Sequence, residues 1–330
     1  MRSVGVGRFA LGIWAAGAML VGCGGSQPPI NAPGAMPQTT ALTAHADRGK
    51  SWMLPEAEHE NLLYVSNGNS SVTVFSYRHR VLVGTLTGFT YPAGECSDVA
   101  GDVFITDYSA NTITEYAHGA AQPLRTLQDP ADHPYGCGVD PSSGELCVAN
   151  LIEESVTVYP HVTGKPHILS TKDIVQDDAT CAYDDKGDIL AGGPDASSGY
   201  SEFGYLPRRE SRFVPVKLGL SYYLFNVVSV QWDGRYWEIA SDGAYRFTIK
   251  KNGDATYEGS TSLPGVFSEQ QAWIVKFNGK RAKDGAQIVA ANSEGKGYVA
   301  FWTYPGGGFI YKITSDVDYP FGVTDSLLPS

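Results

Sequence analysis

Gly101-Asp-Val-Phe-Ile-Thr-Asp-Tyr-Ser-Ala-Asn-Thr-Ile-Thr-Glu-Tyr116 is the unit from which the chain is built. It reads as a strand, a turn carrying Asp107 and Asn111, and a second strand with period-two alternation. The first strand recurs as Leu63–Asn67 and Leu146–Asn150, with weaker copies at Asp188–Gly192, Trp237–Asp242 and Ile288–Asn292. The second recurs with aromatic anchors at Phe75, Tyr116, Tyr159, Phe203, Phe247 and Phe301, spaced 41, 43, 44, 44 and 54 residues apart. Five of the six first strands end in Asn or Asp, whose side chains bond the backbone ahead and start a tight turn.

Each unit carries two more strands. An outer one follows the anchor, as at Val81–Thr85, Pro123–Leu127, His167–Ser170 and Phe309–Ile313. Another leads into the next unit, at Gly94–Asp98, Gly136–Asp140, Thr180–Asp184, Val227–Asp233, Ala272–Asn278 and Gly322–Ser326. Four short antiparallel strands, six units and a period in the forties predict an all-β, six-bladed β-propeller. The domain opens at Leu62 on the second strand of a blade and ends on an unpartnered first strand. The last strand is therefore expected to close the first blade, hiding edges that would otherwise pair with other chains. The expected propeller spans residues 61–328.

The stretch Asp98–Tyr116, with Pro-x-Gly at Pro92, Pro134 and Pro320, resembles an NHL repeat. Blades two and three match best. The resemblance implies a fold shared with gluconolactonase-type and virginiamycin B lyase propellers, and that scaffold hosts many activities. Gluconolactonase-type members hold a divalent metal at the channel mouth and hydrolyse lactones. Their Asn-Gly and Pro-Asp-Gly signatures are missing here, so no ligand or catalytic residue carries over.

Composition agrees with this reading. Of 330 residues, 38 are Gly and 19 are Tyr, with 42% hydrophobic and 18% charged, enough apolar content for a core and a rich supply of turns. The net charge of −11, with no Lys/Arg stripe, argues against nucleic acid as a partner.

The N-terminus reads as an address. Arg2 and Arg8 precede the apolar run Phe9–Val21, too short for a membrane span and suited to a signal peptide. Leu20-Val21-Gly22-Cys23 resembles a bacterial lipobox. The resemblance implies a signal peptide at 1–22 and lipid attachment at Cys23, tethering an exported protein to the bacterial cell envelope. Removal of 1–22 takes away two arginines and no acid, leaving a net charge of −13. Residues 23–60, rich in Gly, Pro, Ala, Thr and Gln, read as a flexible tether.

Candidate ligand-binding residues fall in the crossovers entering the inner strands: Tyr91, Tyr135, Asp177, Asp178, Asn226, Glu269 and Tyr319. Aromatic faces beside carboxylates suit a glycan, a small molecule or a protein segment. Asp177, Asp178, Asn226 and Glu269 are also oxygen donors of the kind a divalent cation takes. That cation is the only candidate cofactor, and its ligands are unassigned. Neither a nucleophile–base arrangement nor a Cys-x-x-Cys occurs. The favoured expectation is a monomeric, lipid-anchored binding module without an assigned catalytic activity. The alternative is a metal-assisted lactonase, hydrolase or lyase of the propeller type.

Four cysteines follow Cys23. Cys137 and Cys147 flank the turn Asp140–Gly144 symmetrically and are expected to pair across a hairpin. A Cys96–Cys137 bridge between blades is the rival.

Overall fold

A computed structural model describes residues 49–195, 198–227, 229–265, 269–277 and 285–328. They lie in one compact unit, Asp47–Ser330. The expected signal peptide, Cys23 and the expected tether as far as residue 48 fall outside the described residues.

Six antiparallel sheets form a six-bladed β-propeller. Their inner strands are Pro320–Ser326, Pro92–Ser97, Pro134–Val139, Thr180–Tyr183, Ser229–Trp232 and Glu269–Val275, for blades one to six. Each packs against the next, and Glu269–Val275 returns to Pro320–Ser326 to complete the ring. Blade one is closed by the C-terminal strand, as expected: Pro320–Ser326 pairs antiparallel with Leu62–Asn67. The six anchors from Phe75 to Phe301 are all buried, because the third strand of each blade packs its large rings between sheets.

The Pro-x-Gly signature has a packing cause. A Cβ on Gly94 would stand 2.4 Å from the Tyr135 carbonyl oxygen, and one on Gly136 2.4 Å from that of Ala179. On Gly322 it would stand 2.1 Å from the Ala93 oxygen. Inner strands crowd at the axis, and only glycine lets the backbones approach so closely.

Two expectations about the chain's extent and cross-links are corrected. The tether does not run to residue 60: Trp52–Met53 adds a fifth strand to the outer edge of blade one, pairing with Gly84 and Thr85. Pro55–His59 then forms a 3-10 turn that buries Ala57. Blade one thereby covers an edge that would otherwise be open. The Cys137–Cys147 pairing does not form; the bridges are Cys96–Cys137 and Cys147–Cys181, with Cα separations of 5.7 and 6.4 Å. The hairpin register sets Cys137 opposite Val148 and Cys147 opposite Gly138. Neighbouring pairs in a ladder point to opposite faces. Cys137 therefore reaches back to blade two and Cys147 forward to blade four, and two bridges staple three consecutive blades.

Blades four and five supply the outer strands that the repeat left unread, Val214–Pro215 and Ala255–Ser262. The second is eight residues long, two or three more than the outer strands of blades one, two and six.

Candidate functional site

The mouth is the end of the ring where inner strands begin and where the second and third strands of each blade turn. Its loops are fastened from below by the residues that end the second strands. In blade two, Asp107 accepts backbone N–H bonds from Thr90 (2.6 Å), Tyr91 (2.9 Å) and Ala110 (3.1 Å). One carboxylate thus caps its own turn and holds the crossover that presents Tyr91. Asn67 does the same in blade one, where its Oδ1 accepts the Asp318 N–H at 2.9 Å beside Tyr319. Residues read as local turn formers are therefore positioning groups for the mouth.

Those crossovers build a belt of rings. Phe321 meets Tyr91 at 5.1 Å, Tyr91 meets Tyr108 at 5.8 Å, and Tyr108 meets Tyr135 at 6.3 Å and His133 at 5.0 Å. Separations of this size and their tilted or edge-on geometries are those aromatic pairs favour. Burial pushes the Tyr91 and Tyr135 hydroxyls above their ordinary range, and the ring neighbours add to it. Tyr319 stands apart with a positive φ of 48° and 51% of its surface exposed.

A second group lies on the same end at blades four and five. Tyr200 and Tyr223 stack at 4.3 Å with their planes 19° apart, and Phe225 leans on Tyr200 at 4.9 Å. They are 38%, 65% and 52% exposed. Three adjoining rings left this open are an exception to the rule that large aromatics are mostly covered, and such patches mark interaction sites. Beside them, Tyr245 Oη donates to Asp242 at 2.6 Å, and Ser241 Oγ donates to the Phe225 carbonyl at 2.9 Å.

The seven candidate residues do not converge on one point. Tyr91, Tyr135 and Tyr319 are on the mouth. Asn226 is exposed there, its backbone N–H donating to the Gly199 carbonyl at 3.2 Å. Asp177 is half-buried, and burial, then Asp195 and Glu154, raise its carboxyl above the usual range. Asp178 does not line the mouth: it is fully buried, accepts a short hydrogen bond from Thr171 Oγ1, and is pushed up to about 8 chiefly by desolvation. Glu269 pairs with Asn292 in blade six, and its side chain lies outside the described residues. Among the described residues, no group of three or more His, Cys, Asp or Glu side chains is placed to hold a metal ion.

Tyr108, Tyr200, Phe225 and Phe321 are mouth residues that the crossover reading missed. The signal that finds the first two is position: each follows a second strand, in the turn at the same end as the crossovers.

No family model matches the chain. It is 29% identical over 102 residues, 30% of this chain and 74% of the relative, to mouse NHL-repeat-containing protein 4. Among solved structures it is similar to a chain in the crystal structure of a nidogen/laminin complex. That match has a TM-score of 0.61 and 11% identity, covering 81% of this chain and 98% of that one. The likeness at 11% identity concerns fold alone. Strand order, ring closure and the NHL relative agree on one architecture.

Proposed function

We propose that this NHL-repeat-like six-bladed propeller is a lipid-anchored module of the cell envelope that binds a glycan on its Tyr-rich mouth. The observation that carries the reading is the open stack of Tyr200, Tyr223 and Phe225, continuous in kind with the belt from Phe321 to Tyr135. Aromatic faces bury the apolar C–H face of a pyranose while its hydroxyls stay on polar neighbours, here Asp242, Ser241 and Asn226. The rings already pack on one another, and Ser241 Oγ holds the Phe225 carbonyl, so less side-chain freedom is lost on binding than for isolated rings, which favours affinity. Two inter-blade disulfides suit an oxidising, exported setting, in keeping with the lipobox reading of Leu20–Cys23.

The test is a titration of the protein with defined neutral oligosaccharides, followed by calorimetry. Saturable binding that is lost in Tyr223→Ala with Phe225→Ala supports the reading. These side chains are exposed, so the fold should survive, and a thermal melt checks that. Equal binding by both proteins removes the stack from consideration. Cys23→Ser tests the anchor separately: unchanged membrane partitioning would contradict lipid attachment.

A further inference from the structure

The end of the ring opposite the mouth carries a cavity of about 650 Å³, within the range of small-molecule sites. It sits where the chain enters blade one and where the inner strand of blade six leaves the axis. Its chemistry differs from that of the mouth. His59, Arg78, His79 and Arg80 line it, on two short segments of a chain whose overall charge is −11. Glu60 is the one acid in the lining; it accepts a hydrogen bond from Ser76 Oγ, and His79 Nε2 stands 4.0 Å from its other oxygen.

Neither Arg78 nor Arg80 has a carboxylate within ion-pair distance among the described residues. Arg80 is held in place. Its φ is +58°, its backbone N–H donates to the Ser76 carbonyl at 2.7 Å, and its guanidinium lies 4.6 Å from the Tyr311 ring centroid. Its Nε is buried without an acceptor. A buried, charged donor in that condition is costly unless an acceptor arrives. Tyr77 and Phe277 form an aromatic wall, edge to face at 5.2 Å. Tyr77 Oη donates to Gln287 Oε1 at 2.8 Å, which engages that carbonyl and leaves the amide N–H groups of Gln287 to donate.

We infer that this cavity binds a soluble small molecule carrying a phosphate or carboxylate on a ring-sized apolar body. The anion would meet Arg78, Arg80 and the two histidines, and the body would lie on Tyr77 and Phe277. Guanidinium forks match both anions. The inference is independent of the glycan reading, since it uses the other end of the ring.

Phenyl phosphate and inorganic phosphate are titrated into the full chain by calorimetry. Phenyl phosphate should saturate, and inorganic phosphate should bind more weakly because it lacks the ring. Arg78→Gln and Arg80→Gln should each weaken phenyl phosphate about tenfold, the loss of one charge-assisted contact. Glu60→Gln should tighten it by removing the repelling charge. Arg78 is exposed, so its variant tests the site even if Arg80→Gln destabilises the protein. Absence of saturable phenyl phosphate binding overturns the proposal, and so does unchanged binding in both arginine variants. Binding to phosphatidylglycerol vesicles, but to neither soluble probe, would assign the anion to a lipid headgroup and overturn the soluble ligand.

Discussion

Breaking the Cys147–Cys181 bridge should loosen the ring in a graded, local way. The two residues are 34 apart in sequence, and both are buried. Loop-closure entropy for a loop of that length corresponds to about 4 kcal/mol at 25 °C, an upper figure because the unfolded chain keeps residual structure. For a domain of this size each kcal/mol moves Tm by about 2–3 °C, so Cys147→Ala with Cys181→Ala should lower Tm by about 8–12 °C. Lost sulfur packing adds to that, and a melt of the reduced wild-type protein isolates the cross-link contribution. The Cys96–Cys137 bridge closes a span of 41 residues and should act with similar size. Both bridges sit between blades two, three and four. Reduction should therefore accelerate amide exchange in those blades before blades five, six and one. The assay is non-reducing calorimetry beside hydrogen exchange, with peptide mapping of the intact protein. A Tm loss under about 2 °C would refute the magnitude argument. Recovery of a Cys137–Cys147 peptide would refute the pairing.

Other consequences are as specific. Gly136→Ala places a methyl against the Ala179 carbonyl, a backbone atom that cannot swing aside, and should cost about 1–3 kcal/mol in a denaturant melt. A new Cβ at Gly306 meets Thr303 Oγ1 at 3.1 Å, a side-chain atom on an exposed residue that needs to give by only a few tenths of an ångström, and that variant should lose much less than Gly136→Ala. Glu95 is fully buried, accepts the Ser66 hydroxyl at 2.7 Å, and is raised by desolvation from 4.5 to about 8. The folded state therefore holds this proton more tightly, so its contribution is complete below about pH 4.5 and is lost as pH rises through about 8. Glu238, with both carboxylate oxygens unpaired, is raised to the same level and adds to the slope. Stability should fall between about pH 4.5 and 8, and Glu95→Gln should flatten that fall by up to about 4 kcal/mol. A slope unchanged in the variant would mean that Glu95 does not carry it.

The ring was legible because its determinants are local and repeated. An aromatic anchor every 41 to 44 residues through blade five, an Asn or Asp ending five of the six second strands, and Pro-x-Gly at the axis in blades one to three each mark a step of one blade. The cross-links were not, since they depend on half a residue of register. Asp140 N–H bonds the Glu145 carbonyl and its side chain takes Ser142 and Ser143, so the turn is six residues long and Leu146 faces Val139. A turn centred on residue 142 would have set Cys137 opposite Cys147. Asp178 was expected at the mouth from its place in a crossover, but Thr171, seven residues before it, holds the carboxylate beneath the surface. Trp52–Met53 was too short to read as a strand; what makes it one is the open edge of Leu82–Leu86. The mouth was half legible. Tyr91 and Tyr319 lie in the crossovers, whereas Tyr108 and Tyr200 come from mid-blade turns, where an Asn or Asp marks the turn but no ring recurs beside it: Gly68 and Leu151 stand where blade two has Tyr108.

Calorimetric titration of neutral oligosaccharides, with the parent protein beside Tyr223→Ala/Phe225→Ala, bears most directly on the central claim. The parent should bind saturably, and the variant should not bind although its melting temperature is unchanged. Identical isotherms from the two proteins would contradict it.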